Sequence, residues 1–290
     1  MPELPEVEGV VRQLKPIIEG KAIIDVAFSQ TVRSSIASGK QCILKNAEPE
    51  QFIHLLKGTT IERVVRRSKY IFLTLQQSGE PLLLVNHLGM TGAWFIVQTF
   101  EEILEEKFRK HIHATFTLHT GELLVYSDIR RFGEFRLLQE LKDYPPLLKL
   151  APEPFDEDAC TFFLEQCEKS KYVNKAIKAV IMDGQVISGC GNIYATEALF
   201  KEGINPSRQV NQISKQRKSQ LFYTIQAILQ ESIDVGGSTI SDYRNVNGEA
   251  GGMQHRLKMY GKKTCPTCGT ATASKSIGGR TSVYCPVCQG

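Results

Sequence analysis

The chain begins with the residues Met1-Pro2-Glu3-Leu4-Pro5-Glu6-Val7-Glu8. A small second residue such as Pro2 usually permits removal of Met1, which leaves a secondary amine with the carboxylate of Glu3 beside it. An α-amino group has a pKa of roughly 8, so a fair fraction of it is an unprotonated nucleophile at neutral pH. Glu3 could carry protons to and from whatever that amine attacks. The stretch therefore offers a nucleophile and a proton carrier.

The same stretch also predicts the first helix of the fold. Proline is favoured in the first turn of a helix, and acidic residues suit the positive end of the helix dipole. Apolar residues then follow at helical spacing up to a glycine stop, namely Val7, Val10, Val11, Leu14, Ile18 and Gly20. Taken alone, the composition favours this capping role over catalysis, although both roles can hold together.

Length and charge limit the classes of protein. The chain has 290 residues, of which 42% are hydrophobic, enough for two packed domains and a small appendage. The net charge of +4 admits an anionic partner without requiring one, since cations matter when they cluster on one face. The longest apolar runs are too short to cross a bilayer, and the N-terminus is acidic where a signal peptide is basic. We expect a cytoplasmic protein without a membrane partner.

Between residues 21 and 138 the pattern predicts a β-sandwich or barrel behind the first helix. Short apolar or alternating runs separated by turn residues predict strands at 22–28, 61–65, 70–75, 82–85, 115–118, 123–126 and 134–138. We expect little helix in this segment. The run 100–110, rich in Glu and Lys, predicts a solvated surface helix or loop.

Loops in this segment carry cations and large apolar side chains. Lys69 and two arginines lie between predicted strands, either as a solvated edge that prevents aggregation or as a phosphate-binding turn. Met90 lies in a double-glycine loop, where packing is its more common role. Arg130 and Phe132 alternate on one side of a strand end. Exposed Met, Arg and aromatic side chains suit a protein that fills the space left by an extruded base.

The second half of the chain is predicted to be helical. Proline-rich sequence at 144–154 interrupts strand and helix and predicts a linker. Helical periodicity follows at 159–170, 174–182, 193–201 and 214–235. Two compact turns at 183–192 lead into a helix whose N-terminus, near Asn192, offers free amides to a phosphate. The irregular run 238–255 is either a binding lid or locally disordered.

The C-terminal tail carries two C-x2-C knuckles. Cys265 and Cys268 form the first, and Cys285 and Cys288 form the second, with sixteen residues between them. This spacing predicts a four-cysteine site on a β-hairpin holding one structural zinc ion, because four protein ligands leave no open position. A cytosolic chain favours metal over disulfides. Arg280 lies on a basic hairpin that could reach DNA phosphates.

Together these signals resemble one family, the bacterial formamidopyrimidine-DNA glycosylases, over essentially the full chain. The resemblance is carried by Pro2-Glu3-Leu4-Pro5-Glu6-Val7-Glu8, Arg67-Ser68-Lys69-Tyr70, His87-Leu88-Gly89-Met90-Thr91-Gly92, Asp128-Ile129-Arg130-Arg131-Phe132-Gly133, Gly191-Asn192-Ile193-Tyr194-Ala195, and the four-cysteine finger with Gly279-Arg280. It makes catalysis the favoured role of the N-terminal stretch. It implies an α+β multidomain fold, with an N-terminal helix plus β-sandwich and a helix-two-turns-helix domain bearing a zinc-binding β-hairpin finger. We expect domains at 1–143, 155–262 (with a lesion-capping loop) and 263–290, and a linker at 144–154.

The resemblance implies a bifunctional enzyme that excises oxidised purines, chiefly 8-oxoguanine and formamidopyrimidines, from duplex DNA and then cuts the strand. Pro2 would attack the anomeric carbon and form an iminium, and Glu3 would protonate the sugar ring oxygen. Glu6 would lie nearby, and Lys69 would contact phosphate and the reacting nucleotide. Successive β- and δ-elimination would leave a one-nucleotide gap.

The resemblance also implies DNA contacts, at His87, Met90, Arg130, Phe132, Asn192 and Arg280. Met90, Arg130 and Phe132 would occupy the void after the lesion flips, with Arg130 facing the orphaned cytosine. Asn192 and Arg280 would clamp phosphates, and the loop 238–255 would close over the flipped base. The implied partner is damaged double-stranded DNA, bound by a monomer that is cytoplasmic and nucleoid-associated in a bacterium.

The sequence departs from the family pattern at three places, Gly9, Gly184 and Gly252-Met253. The family commonly has Thr, a polar side chain and a Thr-Phe pair there, and none of these positions touches the proposed chemistry. Two alternatives stay open: an endonuclease VIII-like glycosylase for oxidised pyrimidines, and a non-catalytic DNA-binding zinc protein. Leu4, where the endonuclease VIII type usually has Gly, favours the purine enzyme, together with the set Met90, Arg130 and Phe132. The joint presence of Pro2, Glu3 and Lys69 favours an enzyme over a passive binder.

Overall fold

The computed structural model describes residues 2–77, 80–240 and 243–290. These form two compact units. The first runs to Leu148 and includes Gly236–Gly252, and the second comprises Lys149–Val235 and Met253–Gly290. The segment Gly236–Gly252 thus packs with the N-terminal part of the chain. The domain boundaries expected from the sequence stay a prediction.

The first unit is a β-sandwich with peripheral helices. Its helices are α1 (Leu4–Ile18), α2 (Gln30–Ala37), α3 (Pro49–Leu56), α4 (Glu106–Arg109) and α5 (Pro145–Leu148), with 3-10 turns at Phe100–Glu102 and Leu141–Asp143. Its strands are β1 (Ile23–Phe28), β2 (Thr60–Arg67), β3 (Tyr70–Gln77), β4 (Glu80–His87), β5 (Gly92–Val97), β6 (Ile112–Leu118), β7 (Leu123–Asp128) and β8 (Glu134–Leu138). The strands form two antiparallel four-stranded sheets, ordered β1-β6-β7-β5 and β2-β3-β4-β8. The predicted sandwich behind an N-terminal helix is confirmed.

Aromatic side chains fill the space between the sheets. Trp94 of β5 is fully buried, and its ring lies 5.1 Å from Tyr126 of β7 and 5.5 Å from Phe135 of β8, in edge-on packing. The indole N–H of Trp94 donates to Asn86 Oδ1 of β4 at 2.9 Å. That bond satisfies a polar group that would be costly to bury alone. The two sheets therefore share one specific core.

Helix α1 packs its apolar face into this core. Its buried residues include the predicted Val7, Val10, Val11, Leu14 and Ile18, and Gly20 follows the helix with a φ of 82°. The helix prediction is confirmed, and so is the stop, since glycine adopts this left-handed conformation without steric cost.

Three parts of the first unit differ from the sequence-based prediction. Helices α2 and α3 occupy a segment expected to hold little helix. Ser29 Oγ caps α2 by accepting from the Val32 N–H at 3.3 Å, and Pro49 opens α3. Strand β5 was not predicted. The run 100–110, expected to be solvated, contains Phe108, which is fully buried with its ring 5.3 Å from Phe95. The Glu and Lys residues around Phe108 made the whole run look solvated, although this one side chain is buried.

The second unit is helical and ends in a hairpin. Its helices are α6 (Ala159–Glu168), α7 (Ile177–Ile181), α8 (Asn192–Lys201) and α9 (Lys215–Asp234), with 3-10 turns at Val210–Gln212 and Met253–His255. Two turns join α7 to α8, as predicted. Strands β9 (Ala273–Ile277) and β10 (Arg280–Tyr284) form the predicted antiparallel hairpin. Among the helices of the described ranges, none combines the length and hydropathy needed to cross a bilayer.

Candidate functional site

Two buried carboxylates begin the first helix. The backbone N–H of Glu3 donates to Glu6 Oε2 at 2.7 Å, and the Glu3 side chain accepts from the backbone N–H of Glu6. The two residues are only 2% and 1% exposed. In this reciprocal capping box each side chain accepts from the backbone N–H of the other residue at the N-terminus of the helix. Glu3 lies in extended backbone just before the helix, next to the buried Pro2.

The other oxygen of Glu6 is held by the segment that follows α9 in the chain. The backbone N–H of Ser238 donates to Glu6 Oε1 at 2.6 Å, and the hydroxyl of Tyr243 donates to the Glu6 carbonyl at 3.2 Å. Burial and the charge of Glu6 raise the pKa of Tyr243, so its hydroxyl stays a donor. Gly237 has a φ of 83°, and a Cβ there would lie 3.1 Å from Glu6 Oε1. A side chain at this position would therefore be strained and would crowd Glu6.

The same segment is anchored further along. Arg244 Nε donates to Glu105 Oε1 at 2.6 Å. The backbone N–H of Val246 donates to Gln13 Oε1 at 2.8 Å, and the Val246 side chain is buried in the sandwich core. The predicted loop 238–255 therefore has ordered contacts on the first unit from Ser238 to Val246, while residues 241–242 lie outside the described part.

Lys69 and His87 lie at the same end of neighbouring strands. Lys69 is in the two-residue turn between β2 and β3, where Ser68 has a left-handed φ of 55°. His87 ends β4 directly opposite Tyr70, with ring centroids 5.0 Å apart. Burial and the nearby Lys69 ammonium lower the pKa of His87 to about 4. Its Nδ1 accepts from the Gly89 N–H at 3.1 Å, as a neutral ring can.

The Met90 loop packs directly on the Arg130–Phe132 loop. Gly89, with a φ of 63°, lies so close to the other loop that a Cβ would be 2.3 Å from the backbone carbonyl carbon of Phe132. Met90 is half-buried, while Arg130 and Phe132 are exposed. The guanidinium of Arg130 lies 4.9 Å from the centre of the Phe132 ring. The fold thus brings these three predicted residues onto adjoining loops.

The buried carboxylate of Asp128 organises both loops. It accepts from the hydroxyl of Thr91 at 2.6 Å, from the Gly133 N–H at 2.7 Å and from the Arg130 N–H at 3.3 Å. The Arg130 N–H also donates to Thr91 Oγ1 at 2.9 Å. Hydrogen bonds to a buried charge are strong and directional. Asp128 therefore fixes the backbone from which Arg130 and Phe132 project.

Asn192 contacts the hairpin strand that carries Arg280, within the second unit. Asn192 is the first residue of α8, and its Nδ2 donates to the Thr281 carbonyl of β10 at 3.2 Å. Arg280, the residue before Thr281, is exposed. The helix N-terminus and the basic hairpin are therefore adjoining donors, as a phosphate-binding surface needs.

The four cysteines of the tail fit a zinc ion. Their sulfur atoms all lie within 4.8 Å of one another, with Sγ–Sγ distances of 3.9 Å for Cys265–Cys288 and 3.5 Å for Cys268–Cys285. A tetrahedron with Zn–S bonds of about 2.3 Å has edges of about 3.8 Å, whereas a disulfide is about 2.05 Å long. Hydrogen bonds with Thr270 lower the pKa of Cys268 to about 6, whereas the hydrogen bond with Cys268 raises the pKa of Cys288 to about 12; a bound zinc ion would hold all four as thiolates. One structural zinc ion is the expected cofactor.

Curated relatives match this chain over its whole length. The formamidopyrimidine-DNA glycosylase of Bacillus subtilis is 37% identical over 293 residues, covering 100% of this chain and 99% of its own length. That of Shouchella clausii is 38% identical with the same coverage. The chain belongs to the formamidopyrimidine-DNA glycosylase family.

Family models and solved structures match the chain as well. Residues 1–135 match the formamidopyrimidine-DNA glycosylase N-terminal domain, 150–244 its H2TH domain, and 262–290 the zinc finger found in FPG and IleRS. The Lactococcus lactis Fpg, in complex with an abasic site containing DNA, has a TM-score of 0.81 and 32% identity, covering 99% of each chain. The MutM (FPG) protein of Thermus thermophilus has a TM-score of 0.81 and 32% identity, covering 99% of this chain and 98% of its own. The predicted fold class is confirmed.

Several residues that shape the site in this member of the formamidopyrimidine-DNA glycosylase family were not singled out in the sequence. Ser238 and Tyr243 hold Glu6, and Asp128 and Thr91 hold the two loops. Thr91 lies in the motif 87–92 and Asp128 in the motif 128–133, so their positions near Met90 and Arg130 in the sequence could have indicated this role. The partners of Glu6 lie more than 230 positions away, and only the fold brings them near.

Proposed function

We propose that this member of the formamidopyrimidine-DNA glycosylase family is a bifunctional DNA glycosylase and apurinic-site lyase. It excises oxidised purines, chiefly 8-oxoguanine and formamidopyrimidines, from duplex DNA. The observation that carries the proposal is the N-terminus itself. Pro2 adjoins the buried carboxylate of Glu3, which is locked to Glu6 and through it to Ser238. A nucleophile next to a proton carrier that is held in place by hydrogen bonds suits covalent catalysis.

The proposed reaction starts once Met1 is removed. The lone pair of the Pro2 nitrogen attacks the anomeric carbon of the damaged nucleotide, the bond to the oxidised base breaks, and the base leaves with the proton that the nitrogen gives up. The bond between the anomeric carbon and the ring oxygen then breaks, which forms the iminium. Glu3 protonates the sugar ring oxygen as the ring opens. Successive β- and δ-elimination then leaves a one-nucleotide gap. Glu6 keeps Glu3 in place through the capping box, and Lys69 contacts phosphate and the reacting nucleotide.

The DNA contacts are proposed on both units. Met90, Arg130 and Phe132 fill the void left by the flipped lesion, with Arg130 facing the orphaned cytosine. His87 holds no positive charge near neutral pH, and because its Nδ1 accepts from Gly89, its Nε2–H is available to a phosphate oxygen. Asn192 and Arg280 clamp phosphates.

The zinc ion supplies structure when bound, because four thiolates leave it no site for a substrate. Cys265, Cys268, Cys285 and Cys288 would hold it at the base of the hairpin that carries Arg280. We also propose that the protein acts as a monomer on the bacterial nucleoid in the cytoplasm. The domain division 1–143, 144–154, 155–262 and 263–290 remains part of the proposal.

Borohydride trapping tests the mechanism. A duplex with 8-oxoguanine opposite cytosine is incubated with protein whose mass shows that Met1 is absent, and borohydride is added. The expected product is a covalent protein–DNA adduct, because borohydride reduces an iminium to a stable amine. Glu3→Gln is expected to bind the same duplex without excising the base. Absence of an adduct from the processed wild type would reject Pro2 as the nucleophile, and a non-catalytic zinc protein would then be favoured.

A competition experiment tests the lesion class. Equal amounts of two duplexes are supplied, one with 8-oxoguanine opposite cytosine and one with thymine glycol opposite adenine. We expect faster excision from the first, because the residues proposed to face the orphaned base resemble those of the purine enzymes. Preference for thymine glycol would support the endonuclease VIII-like alternative instead.

A further inference from the structure

Helix α2, Lys40 and Arg131 line an open surface cavity that the proposed reaction does not use. The cavity has a volume of about 330 Å³. Its walls are hydroxyl, amide and cationic side chains, including Ser34, Ser35, Lys40 and Arg131. Within the described ranges, the residues lining it include no carboxylate. A polar cavity with two cations and no acidic wall has the chemistry of an anion site.

Arg131 is directed to this cavity by an uncommon backbone conformation. Its φ is 56°, in the left-handed region that a residue with a long side chain rarely adopts. Arg130, one residue earlier, stacks on Phe132, whereas Arg131 Nη1 donates to Ser35 Oγ at 3.1 Å. Backbone strain of this kind persists where the surrounding structure requires it, often at functional sites. The two consecutive arginines thus contact different side chains.

The hydrogen bonds inside the cavity leave donors for a ligand. Arg131 has five N–H groups and uses one of them on Ser35, while Ser35, having accepted that bond, keeps its own O–H to donate. Lys40 is exposed and adds an ammonium group at the rim. A guanidinium, an ammonium and a hydroxyl together match the oxygens of one phosphate group.

We propose that this cavity binds one backbone phosphate of the DNA strand opposite the lesion. The inference rests on the proposed function, because Arg130 and Phe132, on either side of Arg131, are there assigned to the space opposite the flipped base. A phosphate held by the intervening residue would fix the opposite strand while Arg130 reads its base. Phosphate contacts of this type set register and add no base specificity.

The salt dependence of binding tests the proposal. Affinity for a duplex containing a stable abasic-site analogue is measured over a range of salt for the wild type, Lys40→Gln, Arg131→Gln and the control Lys15→Gln. Lys15 is exposed on α1 and does not line the cavity, so the control removes the same charge elsewhere. Loss of one phosphate contact lowers the slope of log affinity against log salt by about 1, and weakens binding by about 10-fold at physiological salt.

We expect the slope to fall by about 1 in Lys40→Gln and in Arg131→Gln. The slope of the double variant should fall no further than that of Arg131→Gln alone, because both residues hold the same phosphate. A neutral methylphosphonate scanned along the opposite strand should weaken wild-type binding at one linkage and leave Arg131→Gln unaffected there. Slopes equal to that of Lys15→Gln would overturn the proposal. Binding of inorganic phosphate with unchanged DNA slopes would overturn it too, as it would mark a free-anion site. Borohydride trapping should persist in every variant, so this failure is separable from failure of the proposed enzyme function.

Discussion

Replacing Gly237 by alanine should disconnect the carboxylate of Glu6 from the segment that covers it. A Cβ at this position would lie 3.1 Å from both Cγ and Oε1 of Glu6, and the φ of 83° is one that L side chains rarely adopt. Gly236 is the matched control. Its φ is 78°, and a Cβ there would meet nothing within 4 Å among the described residues. Both substitutions carry the left-handed strain of about 1–2 kcal/mol, and only Gly237→Ala adds the contact with Glu6.

The difference between the two variants follows from one hydrogen bond. The Ser238 N–H donates to the Glu6 carboxylate at 2.6 Å, and a bond to a charged group contributes about 1.5–3 kcal/mol. Its loss should accelerate hydrogen exchange of the Ser238 amide by about 10- to 150-fold in Gly237→Ala relative to Gly236→Ala. Amide exchange followed by NMR measures this local opening directly, which a global unfolding midpoint of a two-unit chain does not.

Catalysis supplies the second measurement for the same pair. Glu6 is joined to Glu3 through the capping box, so a displaced Glu6 should move Glu3, the proposed proton carrier, relative to Pro2. Small misplacements of reacting groups cost up to about 100-fold in rate. We expect single-turnover excision of 8-oxoguanine to slow by about 10-fold or more in Gly237→Ala relative to Gly236→Ala. Equal amide exchange and equal excision in the two variants would refute the reasoning, because strain alone would then explain both.

Three further predictions concern other parts of the site. His87 should remain neutral until the pH falls to about 4, because burial and Lys69 disfavour its cation. In the unfolded chain the same ring takes up a proton near the ordinary pKa of 6.5. The contribution of His87 to the free energy of unfolding is therefore complete above pH 6.5 and declines as the pH falls towards 4. An NMR titration of the ring with a midpoint near 6.5 would contradict this. Cys268→Ser, or removal of zinc by a chelator, should weaken DNA binding, because the zinc ion holds the hairpin that carries Arg280. The reaction proposed for Pro2 should not be abolished. Unchanged DNA affinity of the zinc-free protein would reject the proposed phosphate contact of the hairpin. Arg244→Gln should loosen the segment 236–252 and speed its amide exchange by about 3-fold, since the partly exposed ion pair of Arg244 with Glu105 contributes less than about 1 kcal/mol. Amide exchange should return to the wild-type rate in the charge-swapped variant Glu105→Arg with Arg244→Glu. No recovery would argue against the ion pair as the anchor.

Local sequence rules predicted the parts of the fold that depend on local chemistry. The spacing of Val7, Leu14 and Ile18 predicted helix α1 and its buried face, and the knuckle spacing predicted four cysteine sulfurs at zinc-binding distance. Both depend on a few neighbouring residues and on fixed geometry, such as the 3.6-residue period and the reach of a two-residue knuckle.

The same rules were less complete where distant packing decides. The buried anchor Phe108 lies in a run dominated by Glu and Lys, and strand β5 follows a glycine loop that resembled a turn. Phe108 packs on Phe95, and β5 pairs with β7. Both partners lie outside the local sequence pattern of the element that they stabilise. Tertiary contacts override local preference in such segments.

The N-terminal stretch shows the division most clearly. Its residues alone placed Pro2 next to Glu3 and predicted that a helix begins there, because both follow from covalent order and local capping preferences. Only the tertiary structure decided that Glu6 is held by Ser238 and Tyr243, that Asp128 joins two loops, and that Arg131 turns towards helix α2. Those contacts join residues from 37 to 237 positions apart, so they exist only after the core has brought the chain segments together.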